Sequence, residues 1–466
     1  MSTKDFIQDF IGNPIILPLI LICFCFYIFI LIGSPILKGL YKIQVVKKSI
    51  TYLFVVCLFQ ISLIGMTLSF LDRWIRYGGT LTSYITTFSI NFFCLFFLQE
   101  IGLMRINRFI GIISKNPLLI ALSLIILLSP AWSEMPIVGL TASIGYLLAL
   151  LITVQMAEKY TWLELDEILR IGLSVVGVLT LVSAALSPSS YFTTEPWGAL
   201  IGGRKNFGIL CGLITSLWLL NWLGSKKADW LSPICACFFS IFVILGNSIT
   251  GLITLMACLY ALFLTSSSRF LKRKESLRIL SVLGPISIFV VSIFISNFPR
   301  VAIFFGKDPT FTGRTLIWEV LIEKVNNYNA LLGYGYNGFW QVWRGSDSPG
   351  YNIKPDLLGD YVAPHAHNGF VEVFIQLGYL GLIIFILLFL QTSYKAVQKA
   401  YSAKGKEQRL PLLLITFLIF SNIGETFQLG MIGPNINLFI LVILAIKLNP
   451  KQDRRSITAY NPYLKS

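Results

Sequence analysis

The chain has 466 residues, of which 55% are apolar and only 13% are charged. Soluble globular domains contain roughly 25% charged residues, so this composition excludes a soluble enzyme, a disordered tail protein and a small disulfide scaffold. The apolar residues form blocks of about twenty, the length that a helix needs to cross a bilayer core of ~30 Å. The sequence therefore predicts an all-α, polytopic membrane protein.

The net charge of +15 indicates membrane topology rather than a nucleic-acid partner. Lys and Arg concentrate in alternate connectors between the apolar runs, and cytoplasmic loops are typically the basic ones. The longest basic connectors are 38–48, 105–115, 269–278 and 395–409. We therefore expect a multi-pass membrane protein, with its N-terminus outside and its C-terminus in the cytoplasm.

Thirteen apolar runs are candidate membrane spans. One run is short and the last two are separated by a narrow polar break, so we expect 12 to 14 transmembrane helices. The runs are 15–36, 50–70, 83–102, 117–131, 139–156, 169–187, 206–223, 231–247, 249–266, 279–297, 368–391, 410–425 and 428–447. They predict N-terminal helices in 1–187, further helices in 188–297, a long outside loop in 298–367, C-terminal helices in 368–447 and a cytoplasmic tail in 448–466.

The connector 298–367 is the longest segment predicted outside the membrane. Loops of this length are usually functional or disordered, and its many Trp, Tyr and Phe residues argue against disorder. Between Thr312 and Leu332, apolar and charged residues alternate at helical spacing, with Thr312 as a candidate N-cap. We expect a helix that lies on the membrane surface or folds back onto the bundle.

The two histidines of the chain, His365 and His367, lie where this loop re-enters the membrane. Histidine is the side chain best suited to move a proton near neutral pH. Two other interpretations remain open, namely a pair of interfacial histidines that caps a helix and half of a zinc site. Catalytic zinc needs three protein ligands, and only Asp356 or Asp360 would complete such a set, so we expect no metal. Glu372 follows about one turn later and is a candidate to orient an imidazole.

Basic residues are few on the predicted outside face. Arg204 and Lys205 lie at the start of an apolar span, and Arg314 lies at the start of the helix predicted in the long loop. The planar guanidinium matches phosphate oxygens, so these residues are candidates to bind a lipid-linked phosphate. The alternative is that they contact lipid headgroups or form surface ion pairs. The segment Gly333–Gly338 formally matches G-x-G-x-x-G, but a helix is predicted before it where a dinucleotide site requires a strand. We interpret it as a tight glycine turn packed on aromatic residues.

Four motifs in chain order resemble the bacterial O-antigen ligase and O-antigen polymerase superfamily. His367-Asn368, nine residues, and Gly378-Tyr379-Leu380-Gly381 resemble the H-N-x9-G-x-x-G signature of that family. The other matching segments are Gly203–Gly208, Asn247–Gly251, and Gly313–Trp318 with Leu332–Gly335. One departure is Ile249, which occupies a place where many members have Arg or Lys.

The resemblance implies transfer of a glycan from undecaprenyl diphosphate to an acceptor sugar on the periplasmic face, without a cofactor, metal or nucleotide. In that reaction His367 would be the general base, and Asn368 or Glu372 would fix its tautomer. Arg204, Lys205 and Arg314 would bind the diphosphate. A supporting or sugar-contacting role would fall to His365, Trp318, Tyr334, Tyr336 and Trp340.

The acceptor decides the branch of the family. It would be lipid A-core for a ligase and a second lipid-linked glycan for a polymerase, with membrane lipid around both and no nucleic acid. The alternatives are a protein O-oligosaccharyltransferase of the same superfamily and a transporter or flippase for lipid-linked glycans. A transporter would need charged residues at mid-membrane and matching helix breaks in two halves, which the sequence does not clearly contain.

Overall fold

The structure is a computed structural model that describes residues 106–186, 204–225, 229–246, 248–267, 314–340, 348–350, 353, 365–401, 405–424 and 434–448. The predicted spans before residue 106 and at 279–297 lie outside the described residues, as do residues 188–203 and most of the predicted C-terminal tail.

All of the regular secondary structure in the described part of the chain is helical. Its helices are α1 (Ile106–Ile113), α2 (Pro117–Leu128), α3 (Pro136–Lys159), α4 (Trp162–Leu186), α5 (Arg204–Gly224), α6 (Leu231–Leu245), α7 (Ile249–Ser267), α8 (Arg314–Asn329), α9 (Gly369–Tyr401), α10 (Leu410–Gly424) and α11 (Pro434–Leu448). Short 3₁₀ turns follow α2 at Ser129–Ala131 and precede α10 at Lys406–Arg409.

Four of these helices, α3, α5, α7 and α9, are long and apolar enough to cross a membrane. Many of their large apolar side chains face outward, as do those of α6; Ile244, Phe263 and Leu390 are examples. Backbone polar groups in a bilayer must be paired within the protein, which favours helices as spanning elements. The prediction of an all-α, polytopic membrane protein is confirmed.

Two helices extend beyond the apolar runs that predicted them. α9 continues to Tyr401 rather than ending at 391, and α4 begins at Trp162 rather than at 169. The two extensions contact each other, with the ammonium of Lys399 5.5 Å from the centre of the Trp162 ring. A cation–π contact of this kind contributes to the packing of the two helices, and the end of an apolar run therefore does not by itself mark the end of a helix.

The connectors gather at two ends of the bundle. At one end, Lys406 lies 3.7 Å from Asp166, and Arg409 Nη1 donates a hydrogen bond to Ser266 Oγ at 3.0 Å. All four residues belong to segments predicted at or near the cytoplasmic face. At the other end, the α2–α3 connector meets residues 330–340 of the long loop. The contacts agree with the predicted alternation of connectors, and which end faces the periplasm stays a prediction.

Helix α8 forms within the long connector, where a helix was predicted from Thr312 to Leu332. Its buried residues Ile317, Leu321 and Val325 join a small core with Phe374 and Ile375 of α9. The burial of this apolar face explains why α8 folds back onto the bundle, one of the two predicted alternatives. Thr312, the predicted cap, lies outside the described residues.

Candidate active site

The two histidines lie in a turn that leads into α9. Asn368 caps this helix, since its Oδ1 accepts hydrogen bonds from the backbone N–H groups of Phe370 (2.9 Å) and Val371 (3.2 Å). His367 has a left-handed φ of 53°, and its backbone N–H donates a hydrogen bond to His365 Nδ1 at 3.2 Å. The two imidazole centres are 4.1 Å apart, and both side chains are partly buried. The capping role that the sequence left open for the histidines therefore falls to Asn368.

Glu372 is buried directly beneath this turn, with 1% of its surface exposed. Its Oε1 accepts hydrogen bonds from Trp340 Nε1 and Gln376 Nε2, both at 2.7 Å. Its Oε2 accepts one from the backbone N–H of Ala366 at 3.1 Å. A buried carboxylate is costly unless donors surround it, and these three donors explain how this one is accommodated.

Ala366, between the two histidines, is held on both of its backbone groups. Glu372 accepts from its N–H, and Trp318 Nε1 of α8 donates to its carbonyl at 2.8 Å. We predicted that Glu372 would orient an imidazole. These bonds connect Glu372 to the backbone between His365 and His367. Glu372 therefore affects the position of the imidazole rings through the turn that carries them.

The glycine-rich segment 333–338 forms the tight turn that the sequence predicted. Gly333 (φ 67°), Gly335 (φ 85°) and Asn337 (φ 59°) all have left-handed backbone conformations. A Cβ on Gly333 would lie 2.6 Å from the carbonyl oxygen of Ile375, so only glycine allows this approach. Asn337 N–H also donates to Gln376 Oε1 at 3.1 Å. The turn is thus connected through Gln376 to the carboxylate of Glu372.

Helix α9 is interrupted at Gly378, which has φ 62° and ψ −164°. The turn pairs the backbone groups that this break leaves without intrahelical partners. Irregular backbone at membrane depth is tolerated where it is buried in protein, and a Cβ on Gly378 would lie 2.3 Å from the carbonyl group of Leu331. The hydrogen bonds across the break run from Tyr334 N to Ile375 O (2.9 Å), from Tyr379 N to Ala330 O (2.9 Å) and from Leu380 N to Leu331 O (3.1 Å).

The α2–α3 connector supports the turn from its other side, a contact that sequence reasoning missed. Trp132 Nε1 donates to the carbonyl of Leu332 at 3.1 Å, and Ser129 Oγ accepts from the N–H of Tyr336 at 2.9 Å. The available signal was a Ser-Pro-Ala-Trp-Ser segment between two apolar runs. Because this segment is far from the histidines in the sequence, nothing in the local pattern indicated the contact.

The predicted sugar-contacting aromatics differ in exposure. Tyr334, Tyr336 and Trp340 are buried, and Tyr336 is fully so, while Trp318 is partly exposed. The buried rings fill the space beneath the turn, with Tyr336 against Tyr146 of α3 at 6.4 Å between centres. They therefore present little ring surface to a sugar, and their predicted contact with the acceptor remains a prediction.

The predicted phosphate-binding residues stand at the starts of two helices. Arg314 is the first residue of α8, one turn before Trp318, and its side chain is partly buried. Arg204 and the exposed Lys205 begin α5. The other end of α5 reaches the Lys406 connector, so its start lies at the same end of the bundle as the histidine turn. Helix N-termini favour anions, which fits the predicted role.

Within the segments that the structure describes, no three His, Cys, Asp or Glu side chains converge as metal ligands. Asp356 and Asp360, the two carboxylates considered with the histidines, lie outside those segments. Metal independence of the reaction stays a prediction.

Comparison with known proteins adds two findings. Residues 234–386 match the family model described as O-antigen ligase. The chain is also 26% identical over 159 residues to the exopolysaccharide production protein ExoQ of Rhizobium meliloti (strain 1021). The matched segment covers 34% of this chain and 35% of that relative. The chain thus matches about a third of the relative's length.

The matched family segment includes the histidine turn, α8 with Arg314, the glycine turn and the break at Gly378. It does not include Arg204 or Lys205, for which the family comparison offers no support. The resemblance predicted from the motifs is therefore confirmed: this is a polytopic helical membrane protein whose residues 234–386 match the O-antigen ligase family.

Proposed function

We propose that the protein is a membrane-integral glycosyltransferase that moves a glycan from undecaprenyl diphosphate to an acceptor sugar at the periplasmic face. The observation that supports it most is the clamped histidine turn. Two adjacent imidazoles stand at the start of an apolar helix, on a backbone fixed by Glu372 and Trp318. A fixed proton acceptor at a membrane surface suits a reaction whose donor is a lipid.

In the proposed reaction the acceptor hydroxyl attacks the anomeric carbon of the donor glycan. His367 takes the hydroxyl proton while the new glycosidic C–O bond forms. The C–O bond to the diphosphate breaks, and its electron pair leaves with undecaprenyl diphosphate. Direct displacement of this kind inverts the configuration at the anomeric carbon. His365 accepts a hydrogen bond from the backbone N–H of His367 through its Nδ1, so its proposed role is to support the turn that carries the base.

The leaving diphosphate gains negative charge during this step. Arg314 at the start of α8 offers a guanidinium beside a helix N-terminus, and both favour an anion. Positive groups placed where charge develops stabilise the transition state more than the ground state. Arg204 and Lys205 at the start of α5 are the further candidates for this contact.

The name of the relative speaks of exopolysaccharide production, which favours a second lipid-linked glycan as the acceptor. Transfer to lipid A-core, as in a ligase, and transfer to a protein hydroxyl are the alternatives within the superfamily. A transporter or flippase for the same lipid is the alternative from another class.

The experiment that separates these functions uses the purified protein in liposomes with its lipid-linked glycan. One sample receives only lipid-linked repeats, a second also receives lipid A-core, and a third also receives an acceptor protein. We expect longer lipid-linked glycans in the first sample. Glycan attached only to lipid A-core or only to protein would assign another branch, and translocation of the lipid without transfer would replace the proposal by a transporter.

A further inference from the structure

Helix α8 presents a single face from the histidine turn to a distant aromatic pair. Arg314, Trp318, Leu321, Val325 and Tyr328 follow one another at steps of three or four residues, so they lie on one stripe. Trp318 contacts the histidine turn, and Tyr328 ends the stripe about 21 Å from Arg314 along the axis, at ~1.5 Å per residue. Leu321 and Val325 are buried, whereas Tyr328 is 42% exposed.

The ring of Tyr328 is held flat by its neighbours. It stacks on Tyr334 with ring centres 4.1 Å apart and planes only 7° from parallel. Tyr334 is fixed in turn by the edge of Phe339 at 4.9 Å and by its hydroxyl, which donates to the carbonyl of Lys324 at 3.3 Å. Tyr328 is therefore an exposed aromatic ring with a set orientation, and binding to it requires little ordering.

An acidic residue lies beside this pair. Glu134 is exposed on the α2–α3 connector, next to Ser133, which packs against Gly335 and Gly338 of the turn. Burial is the main cause that raises the pKa of the Tyr334 hydroxyl to about 12, and the negative charge of Glu134 adds to it. Burial and the same charge also raise the pKa of Tyr328. The contact of Ser133 with Gly335, the residue after Tyr334, places Glu134 next to this aromatic pair, and the direction of both pKa shifts agrees with that position.

An oriented aromatic face with a nearby carboxylate is suited to bind a sugar. The C–H groups of a pyranose pack on the electron-rich ring face, while its hydroxyls donate hydrogen bonds to the carboxylate. We propose that Tyr328 and Glu134 form a distal glycan subsite, which binds a sugar several residues away from the bond that is made or broken at His367. The proposal rests on the glycosyltransferase function. It implies that the length of α8 sets the distance between the two sites.

The test compares long and short glycans in proteoliposomes. Donor and acceptor lipids are prepared with a complete repeat unit and with a single sugar, and each is varied while the other is saturating. We expect Tyr328→Ala to raise KM about three- to tenfold for the complete repeat in one of the two arms, as loss of an aromatic contact implies. The single-sugar lipid should be used as by the wild type. The arm in which KM rises identifies the occupant as donor or acceptor.

Three further variants make the test specific. Tyr328→Trp should retain use of the complete repeat, and Glu134→Gln should weaken it. Asn327→Ala, an exposed neighbour on α8, should behave as the wild type. Equal losses with long and short glycans, or no loss with either, would overturn the subsite and leave Tyr328 as an interfacial residue.

A binding measurement separates this proposal from the function on which it rests. The oligosaccharide released by mild acid from the cell's own lipid-linked glycan is titrated into the purified protein by calorimetry. We expect binding that Tyr328→Ala weakens and Asn327→Ala does not. Binding that depends on Tyr328 without any transfer would contradict the glycosyltransferase function alone, whereas transfer without such binding would contradict the subsite alone.

Discussion

Ala366 joins the histidines to the buried part of the site at the residue scale. Its N–H and carbonyl are held by Glu372 and Trp318, from two different helices. A base that must accept a proton in a defined geometry needs such support, because small displacements are costly in rate. The residue pattern predicted His367, Asn368 and Glu372 as a group. The geometry of this group also depends on Trp340 and Gln376, which donate hydrogen bonds to Glu372. A search for proton acceptors would not identify these two residues.

Glu372→Gln tests whether this carboxylate positions the turn. The substitution preserves shape but replaces one acceptor oxygen by an NH₂ group, so one of the three donors loses its partner. We expect kcat to fall more than the KM values change, together with a lower unfolding temperature, since an unpaired buried donor costs about 1–3 kcal/mol. Glu319→Gln on the exposed face of α8 is the control. A lower unfolding temperature with unchanged kcat would make Glu372 purely structural.

Arg314→Ala tests the phosphate contact. If its guanidinium binds the diphosphate, the alanine variant should lose most donor use, and Arg314→Lys should recover only part because an ammonium cannot make a bidentate contact. Initial rates at varied donor concentration measure this. Arg108→Ala, an exposed arginine near the opposite end of the bundle, should change little. Equal, mild effects at both positions would reduce Arg314 to a surface residue.

At the scale of elements, the break in α9 is the feature that brings the loop to the site. Gly378 of the H-N-x9-G-x-x-G pattern lies where the backbone of residues 330–334 forms hydrogen bonds with the backbone of α9. The pattern therefore has a structural reason at both ends, a capped start at Asn368 and a glycine where another segment enters.

Gly378→Ala should disrupt that junction. The added Cβ would lie 2.3 Å from the carbonyl group of Leu331, in a backbone region that costs roughly 1–3 kcal/mol for a non-glycine residue. We expect a lower unfolding temperature and faster hydrogen exchange in 330–340. Gly111→Ala, whose Cβ would meet nothing within 4 Å, is the control. Wild-type protection of the loop in Gly378→Ala would contradict the inferred junction.

The sequence predicted the helices of the described regions well where apolar runs or helical spacing were continuous. α8 was expected at 312–332 and occurs at Arg314–Asn329, and the run at 249–266 became Ile249–Ser267. It did not predict the break at Gly378, because the apolar run continues on both sides of this glycine and is typical of a single span. It also missed the contact of Trp132 with Leu332, since long-range pairing leaves no local pattern.

At the scale of the whole molecule, the bundle has a histidine end and a basic end. The positive-inside rule assigns the basic end to the cytoplasm, so the histidine end should face the periplasm. In a variant without native cysteines, Asn327→Cys should react with a membrane-impermeant thiol reagent in intact cells. Ser114→Cys should react only after lysis; both positions are exposed. The opposite labelling would move the site to the cytoplasmic side.

Glycan transfer by the purified protein tests the central claim most directly, with wild type, His367→Ala and His365→Ala compared in proteoliposomes that contain lipid-linked repeats. A general base typically contributes about 10²–10⁴-fold in rate. We therefore expect His367→Ala to lose activity by about that factor while remaining folded and inserted, His365→Ala to lose less, and chelators to leave the wild type unaffected. Undiminished transfer by His367→Ala, or activity that disappears with chelator and returns with zinc, would contradict the metal-free general-base mechanism.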